Sequence, residues 1–337
     1  MQTTATPSDC NARPPSGGGF GSAFANRDLL QDVADLLLAS MAPSTQKQYT
    51  SAIAQWIGYC ERRNIEKPTE GTPREVLLFL TDLYNSGVSY GTVNTARSAL
   101  AVFLHTDISG HRLIGRLLKG VSRLRPQTPK FVWDVSPVLQ RIQTALWPLD
   151  TLSLARLTVR PTVLLAICTA QRLQTLTAIQ LEHCHRTAAG YQIAISALLK
   201  TSRPGAPPLV LDIPTLPENP PLCVPLTLDE YVRRTRTLRS SQTLLITPRK
   251  PFRPASNATI GRWIRAFLKE SGVPDLFTAH STRHAATSAA AREGVAMDVI
   301  RRAAGWSPSS KVFFQHYNLP LRTDRHSFSA AVLSEQG

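Results

Sequence analysis

Apolar residues recur at helical spacing along most of the chain. Residues 1–25 are the exception. They are rich in Ser, Thr, Gly, Pro and Ala and read as a disordered arm. Leu29, Leu30, Val33, Leu36 and Leu37 then form a first apolar stripe. A second helix starts near Ser44 and carries Tyr49, Ile53, Trp56, Ile57 and Cys60. A third has a complete start signal. Thr72 is the N-cap, Pro73 takes the first helical position, and Glu75 closes a capping box. It runs through Val76, Leu77, Phe79, Leu80 and Leu83 and stops at Asn85, Ser86 and Gly87. A fourth follows Ser89, with Val93, Ala96, Leu100, Phe103 and Leu104. Four short helices with short connections predict a helical bundle over 26–110.

The pattern changes over 111–136. Arg112, Arg116, Lys119, Arg123, Arg125 and Lys130 occur over 111–133 without an acidic residue, and Pro126 and Pro129 follow the helical part. This reads as a basic helix end and a linker, with the cations aimed at phosphates. A second domain is expected over 137–325, with a tail over 326–337. Helices are predicted at about 137–147, 161–181, 226–240, 257–271, 282–294, 296–304 and 308–317. The alternating, β-branched stretch 191–199 reads as a strand, with 209–213 returning beside it. The helix over 226–240 is very basic through Arg233, Arg234, Arg236 and Arg239.

Composition narrows the function. Among 337 residues, 42% are hydrophobic, enough for a sizeable core. Apolar runs such as Pro161–Ala170 are too short to span a bilayer. The first residues lack the basic start and apolar stretch of a secretory leader, so none is expected. Lys and Arg total 38 against 23 Asp and Glu, for a net charge of +15. That balance suits a polyanionic partner, nucleic acid first. The five cysteines (Cys10, Cys60, Cys168, Cys184 and Cys223) are odd in number and lack a CxxC pair. They predict neither a disulfide framework nor a zinc site, and the cluster His183, Cys184, His185 has no second pair at ligand spacing.

The chemistry concentrates near the C-terminus, in AHSTRHAATSAAAREGVAMDVIRRAAGWSPSSKVFFQHYNLPL. His280 and Arg283 are three apart at a helix start near Ser281, where backbone N–H groups favour an anion. Gly305 and Trp306 follow a helix stop. Tyr317 comes eleven residues later in an aromatic patch with Phe313, Phe314 and His316. Each has a bland reading taken singly: a core tyrosine, a capping histidine, a core tryptophan.

Taken together and in this order, the segment resembles the tyrosine recombinases, also called the phage integrase family. The resemblance covers roughly residues 27–325. HSTRHAATSAA and the aromatic-His-Tyr ending look most like the Crypton and DIRS-like recombinases of eukaryotic mobile elements, with Crypton the favoured group. The family's upstream arginine matches Arg172, in Ala170-Gln171-Arg172. Ala170 stands where the family often has Gly, and Thr175 where it often has Glu. The hairpin lysine matches Lys200, with Lys250 the second candidate.

The resemblance implies a mainly α fold. A helical core-binding, SAM-like bundle precedes an α+β catalytic domain with a small β-sheet. It implies roles as well. Arg172 and Arg283 neutralise a phosphate, and Trp306 packs beside it. His280 helps Tyr317 lose its proton before attack, and Lys200 protonates the departing 5′ oxygen. The product is a 3′-phosphotyrosine linkage, formed without metal, ATP or other cofactor. The implied partners are double-stranded DNA and further copies of the chain, from dimer to tetramer. Arg112, Arg116, Lys119, Arg123, Arg125, Lys130, Arg203, Arg233, Arg234 and Arg236 are the expected DNA contacts, and the nucleus is the expected compartment. The competing expectations are a type IB topoisomerase-like nicking enzyme and a domesticated DNA-binding protein with an idle site. An RNA-binding role rests on charge alone, without an RRM or KH signature.

Overall fold

The computed structural model describes residues 31–126, 131–199, 202, 205, 207–307, 313–314, 317 and 319. The chain divides into two compact units between Thr128 and Pro129. The arm over 1–25 and the tail over 326–337 lie outside the described residues.

The first unit is helical: α1 (Gln31–Ala39), α2 (Pro43–Arg62), α3 (Pro73–Asn85), α4 (Tyr90–Phe103) and α5 (Arg112–Leu124). Pro43 starts α2 at a position whose N–H has no helical partner in any case. The Thr72 capping box is complete. Glu75 N–H donates to Thr72 Oγ1 at 3.3 Å, and Thr72 N–H donates to Glu75 Oε2 at 2.7 Å. Ser89 Oγ accepts from Thr92 N–H at 3.2 Å and starts α4. The core gathers Trp56, Phe79, Leu80, Val93, Leu100 and Phe103. Trp56 also donates its indole N–H to the Pro68 carbonyl at 2.9 Å, so its polar end is satisfied in the interior.

Two expectations change here. The apolar stripe of α1 faces outward: Leu36 is 74% exposed and Val33 40%, while Ala34 and Leu38 pack inward. The Gln46 amide holds the Leu38 and Met41 carbonyls at 2.8 and 3.1 Å, which turns the Ala34–Leu38 side toward α2. Leu29 and Leu30 lie outside the described residues. The second change concerns 111–136, expected to be a helix end and linker. Arg112–Leu124 is a full helix, and its Ile114, Leu118 and Val121 are buried in the first unit's core. Repeats of four and three residues make one helical face, and that face is what docks.

The second unit holds α6 (Ser136–Ala145), α7 (Leu154–Cys168), α8 (Leu173–Thr177), α9 (Val224–Thr235), α10 (Asn257–Glu270), α11 (Ser281–Arg292) and α12 (Met297–Ala303). A three-stranded antiparallel sheet runs β1 (Cys184–Arg186), β2 (Gly190–Ile195), β3 (Leu209–Pro214) in that order. Tyr191 pairs with Ile213 and Ile193 with Leu211, so Ile193, Ile195, Leu211 and Ile213 all reach the core. β2 ends at Ile195 rather than 199. β1 escaped notice because three residues cannot display an alternation.

The helix expected over 161–181 is two helices. α7 starts earlier, with Ser153 Oγ accepting from Arg156 N–H at 3.3 Å, and Pro161 lies inside it. The chain then breaks at Ala170, whose φ is +49°. α7 is buried nearly all round. Its Arg160 is fully buried, in no salt bridge among the described residues, and donates to Thr227 Oγ1 at 3.0 Å and to the carbonyls of Ile142, Leu146 and Pro221. A separate small cluster of Ile300, Phe313 and Tyr317, flanked by Met297 and Trp306, sits apart from the main core. No described helix is long and apolar enough to cross a membrane.

Candidate active site

The break between α7 and α8 builds the first side of the site. The left-handed residue Ala170 turns the chain, and Arg172 becomes the N-cap residue of α8. That turn aims the Ala170 carbonyl at Arg283 of α11. Arg283 is fully buried. Its Nη1 donates to Ala170 O and its Nη2 to Ala304 O, each at 2.7 Å. One guanidinium therefore ties the α7–α8 break to the end of α12. A guanidinium carries five N–H bonds. Two are spent on these carbonyls, a further one reaches the Tyr317 hydroxyl, and Nε is buried with no hydrogen-bond partner.

Gly305, at φ +64°, ends α12 and turns Trp306 back over Arg283. The Arg283 Cζ lies 4.8 Å from the Trp306 ring centre and 5.4 Å from that of Tyr317. The Trp306 indole nitrogen is a second buried donor without a partner. Tyr317 is 7% exposed. Its carbonyl accepts from Ser288 Oγ, and its N–H donates to Phe313 O at 2.7 Å. Burial first, and then the neighbouring Arg172 charge, push the Arg283 guanidinium down to about 10; the Tyr317 hydroxyl bonded to it acts in the opposite sense. The guanidinium stays protonated at neutral pH. No salt bridge among the described residues includes Arg172 or Arg283.

His280 stands just before α11, exposed, in the N-cap position. Trp133 Nε1 donates to Ser281 Oγ at 2.8 Å and steadies that helix start. The His280 ring meets His284 edge-on at 5.4 Å, and His284 stacks on Tyr317 at 4.1 Å.

Both phage integrase models match this sequence. The N-terminal SAM-like domain covers residues 29–110, and the phage integrase family covers 162–322. The chain belongs to the phage integrase family. These tyrosine recombinases are DNA strand-breaking and rejoining enzymes. No curated protein matches the sequence. Solved structures share the fold at low identity. The XerH site-specific recombinase bound to difH in a pre-cleavage complex matches with TM-score 0.61 and 12% identity, over 85% of this chain and 79% of that one. The Tn1549 transposon integrase, in complex with transposon right end DNA, matches with TM-score 0.55 and 13% identity, over 94% and 100%. A lambda integrase dimer bound to a COC′ core site matches with TM-score 0.52 and 18% identity, over 85% and 75%.

Within this integrase-family chain, Arg283, Trp306 and Tyr317 meet directly, Arg172 adds its charge, and His280 reaches the group through His284. Lys200, Arg203 and Lys130 lie outside the described residues, as do His316 and Lys311. Lys250, the second lysine candidate, is exposed in the turn before Pro251. Gln171 was missed. Its buried amide donates to Ala303 O at 2.6 Å and accepts from Thr175 Oγ1 at 3.3 Å. Gln171 and Arg283 thus hold two consecutive carbonyls at the end of α12. The one clue in the sequence was adjacency to Arg172.

The expected DNA contacts sort unevenly. Arg112, Arg116, Lys119 and Arg123 are exposed on α5 and fall within an arc of about 60°, opposite Ile114, Leu118 and Val121. Arg125 is a correction. It donates to the Val88 and Tyr84 carbonyls at 2.6 Å each and lies 4.1 Å over the Tyr84 ring, so it closes the first unit's own structure. The basic run of α9 is also largely committed. Arg233 donates twice to the Glu230 carboxylate at 2.8 Å, Arg234 to Leu152 O at 2.6 Å, and Arg239 to the carbonyls of Thr243 and Leu244 at 2.7 and 2.8 Å. Arg236 is exposed just past the helix. No group of three or more His, Cys, Asp or Glu that could hold a metal ion occurs among the described residues.

Proposed function

We propose that this chain is a site-specific recombinase of a mobile element, which cleaves and rejoins duplex DNA through a covalent bond to Tyr317, without metal or ATP. One observation carries the reading. Two arginines stand beside a buried tyrosine with no described carboxylate to balance them, and two buried donors, Arg283 Nε and Trp306 Nε1, await an acceptor. A phosphodiester supplies the missing charge and the missing acceptors together.

The chemistry follows from those positions. The phenol must lose its proton to attack. His280 accepts that proton. The phenolate oxygen bonds to phosphorus as the bond to the 5′ oxygen breaks, and Lys200 protonates the leaving oxygen. Arg172, the remaining N–H bonds of Arg283, and Trp306 hold the nonbridging oxygens as charge builds in the transition state. The 3′-phosphotyrosine bond conserves the energy of the broken bond, so a 5′ hydroxyl from another duplex reverses the step without ATP.

The partners in this reading are double-stranded DNA and a second copy of the chain, as in the lambda integrase dimer on its core site. The α5 stripe meets the DNA backbone. Exchange between duplexes calls for a tetramer. The resemblance of HSTRHAATSAA to Crypton and DIRS-like recombinases supports a eukaryotic element and a nuclear protein as part of this reading.

The test is a trapping assay. The protein is incubated with a randomised duplex pool in EDTA, denatured, and run on SDS gels beside Tyr317→Phe. The expected result is an EDTA-resistant protein–DNA band that is absent in the variant. Native-gel complexes with no covalent band would overturn the recombinase reading in favour of a DNA-binding module with an idle site.

A further inference from the structure

We infer that His284 is the positioning residue for the nucleophile: its ring is the platform that sets the plane of the Tyr317 phenol. The inference rests on the reading of Tyr317 as the attacking group. The two rings lie 4.1 Å apart and within 10° of parallel. Trp306 meets the same phenol at 4.6 Å and 60°. The phenol is therefore held by a flat face and an inclined ring, which together allow one plane.

The geometry assigns orientation rather than proton transfer to His284. The imidazole lone pair and N–H lie in the plane of its own ring, and the phenolic O–H lies in the plane of the other. Rings stacked face to face keep those groups from pointing at each other. Base work needs an in-plane hydrogen bond, which leaves that task to another group.

The platform is in register with the phosphate site. His284 directly follows Arg283 on α11, so one helical turn carries both the buried guanidinium and the ring under the phenol. His280 lies four residues back, on the same face, and braces His284 edge-on at 5.4 Å. The platform matters because the backbone bonds to Ser288 and Phe313 fix the chain at Tyr317 but not the plane of its ring. Among the described residues, Tyr317 packs in a small cluster with Ile300 and Phe313, apart from the main core. A reacting atom misplaced by an ångström loses about a hundredfold in rate.

The experiment uses the full chain with 3-fluorotyrosine in place of Tyr317, in three backgrounds: the natural sequence, His284→Ala, and His284→Phe. Phenylalanine keeps a flat ring and removes both nitrogens. Fluorine NMR reports the stack without DNA or activity. The natural chain and His284→Phe are expected to share a resonance displaced from the unfolded position by the stacked ring, and His284→Ala to lose most of that displacement. The same substitutions with an ordinary Tyr317 go into the trapping assay. His284→Ala is expected to form covalent complex at least about tenfold more slowly, with unchanged native-gel binding, and His284→Phe is expected to recover most of the rate. An unmoved fluorine signal in His284→Ala overturns the inference. So does a His284→Ala protein that cleaves at the natural rate, or a His284→Phe protein as slow as His284→Ala. A natural chain that forms no covalent complex overturns the recombinase reading instead, and the fluorine spectra still decide whether the stack exists.

Discussion

Ala170 does more for the site than its size suggests. Its φ of +49° costs an L-residue about 1–2 kcal/mol, and the turn it makes delivers a carbonyl to Arg283. Glycine accepts that conformation without strain but loses about 0.4–1 kcal/mol through a freer unfolded chain. Ala170→Gly should therefore leave stability unchanged or raise it by up to about 1.6 kcal/mol, whereas Ala170→Val should lower it; a thermal melt of the two variants checks the order. Much of the site was legible at this scale. His280, Arg283, Trp306 and Tyr317 lie close together in sequence, and the structure gathers them through direct and ring contacts; Arg172, far upstream, was matched only through the family resemblance. The work of Gln171 was not legible, because its acceptor, the Ala303 carbonyl, lies 132 residues away. The role of His284 was hidden for a related reason: a stack is a relation between rings, and spacing within HSTRHAATSAA does not show which ring faces Tyr317.

At the scale of elements, α5 separates two kinds of arginine that look alike in sequence. Arg116 and Lys119 stand on the exposed stripe, while Arg125 is spent on the Tyr84 and Val88 carbonyls. Each cation lost from a phosphate contact lowers the slope of log K against log salt by about 0.9. The double variant Arg116→Ala, Lys119→Ala should therefore lower that slope by nearly 2, with little change in melting. Arg125→Ala should instead destabilise by about 1–3 kcal/mol, because it strips two carbonyls of their donor. Salt-titrated DNA binding and thermal melts of both proteins distinguish the cases. In sequence, the unbroken positive charge and the two prolines that follow mask the helix. Its inward face, at 114, 118 and 121, was regular all along. The α1 stripe failed in the opposite sense: periodicity marks an apolar face, but only tertiary contacts say whether anything covers it.

At the scale of the molecule, the two units have separate cores, one built around Trp56 and the other around α7 and the sheet. Each core should melt as its own cooperative step. Trp56→Ala removes the largest side chain in the first core, at a cost of about 3–5 kcal/mol. Calorimetry should then show one transition moved to lower temperature and the other in place; a joint shift of both would contradict independent cores. The sequence suggested a helical bundle followed by a mixed α and β unit, but the second unit begins at Pro129, before the expected 137, with Val132 and Trp133 in its core, and the helix that closes the first unit was not legible.

Arg283 joins these scales in a way that bears on ligand linkage. In the proposed function, the guanidinium that takes the phosphate is the one that holds the carbonyls of Ala170 and Ala304. Occupancy by phosphate and integrity of the second unit are thus two readings of one free energy. An anion that prefers the folded arrangement must stabilise it in proportion to the logarithm of its own concentration. Drift that loosened either carbonyl would weaken the protein's hold on DNA without touching a DNA contact.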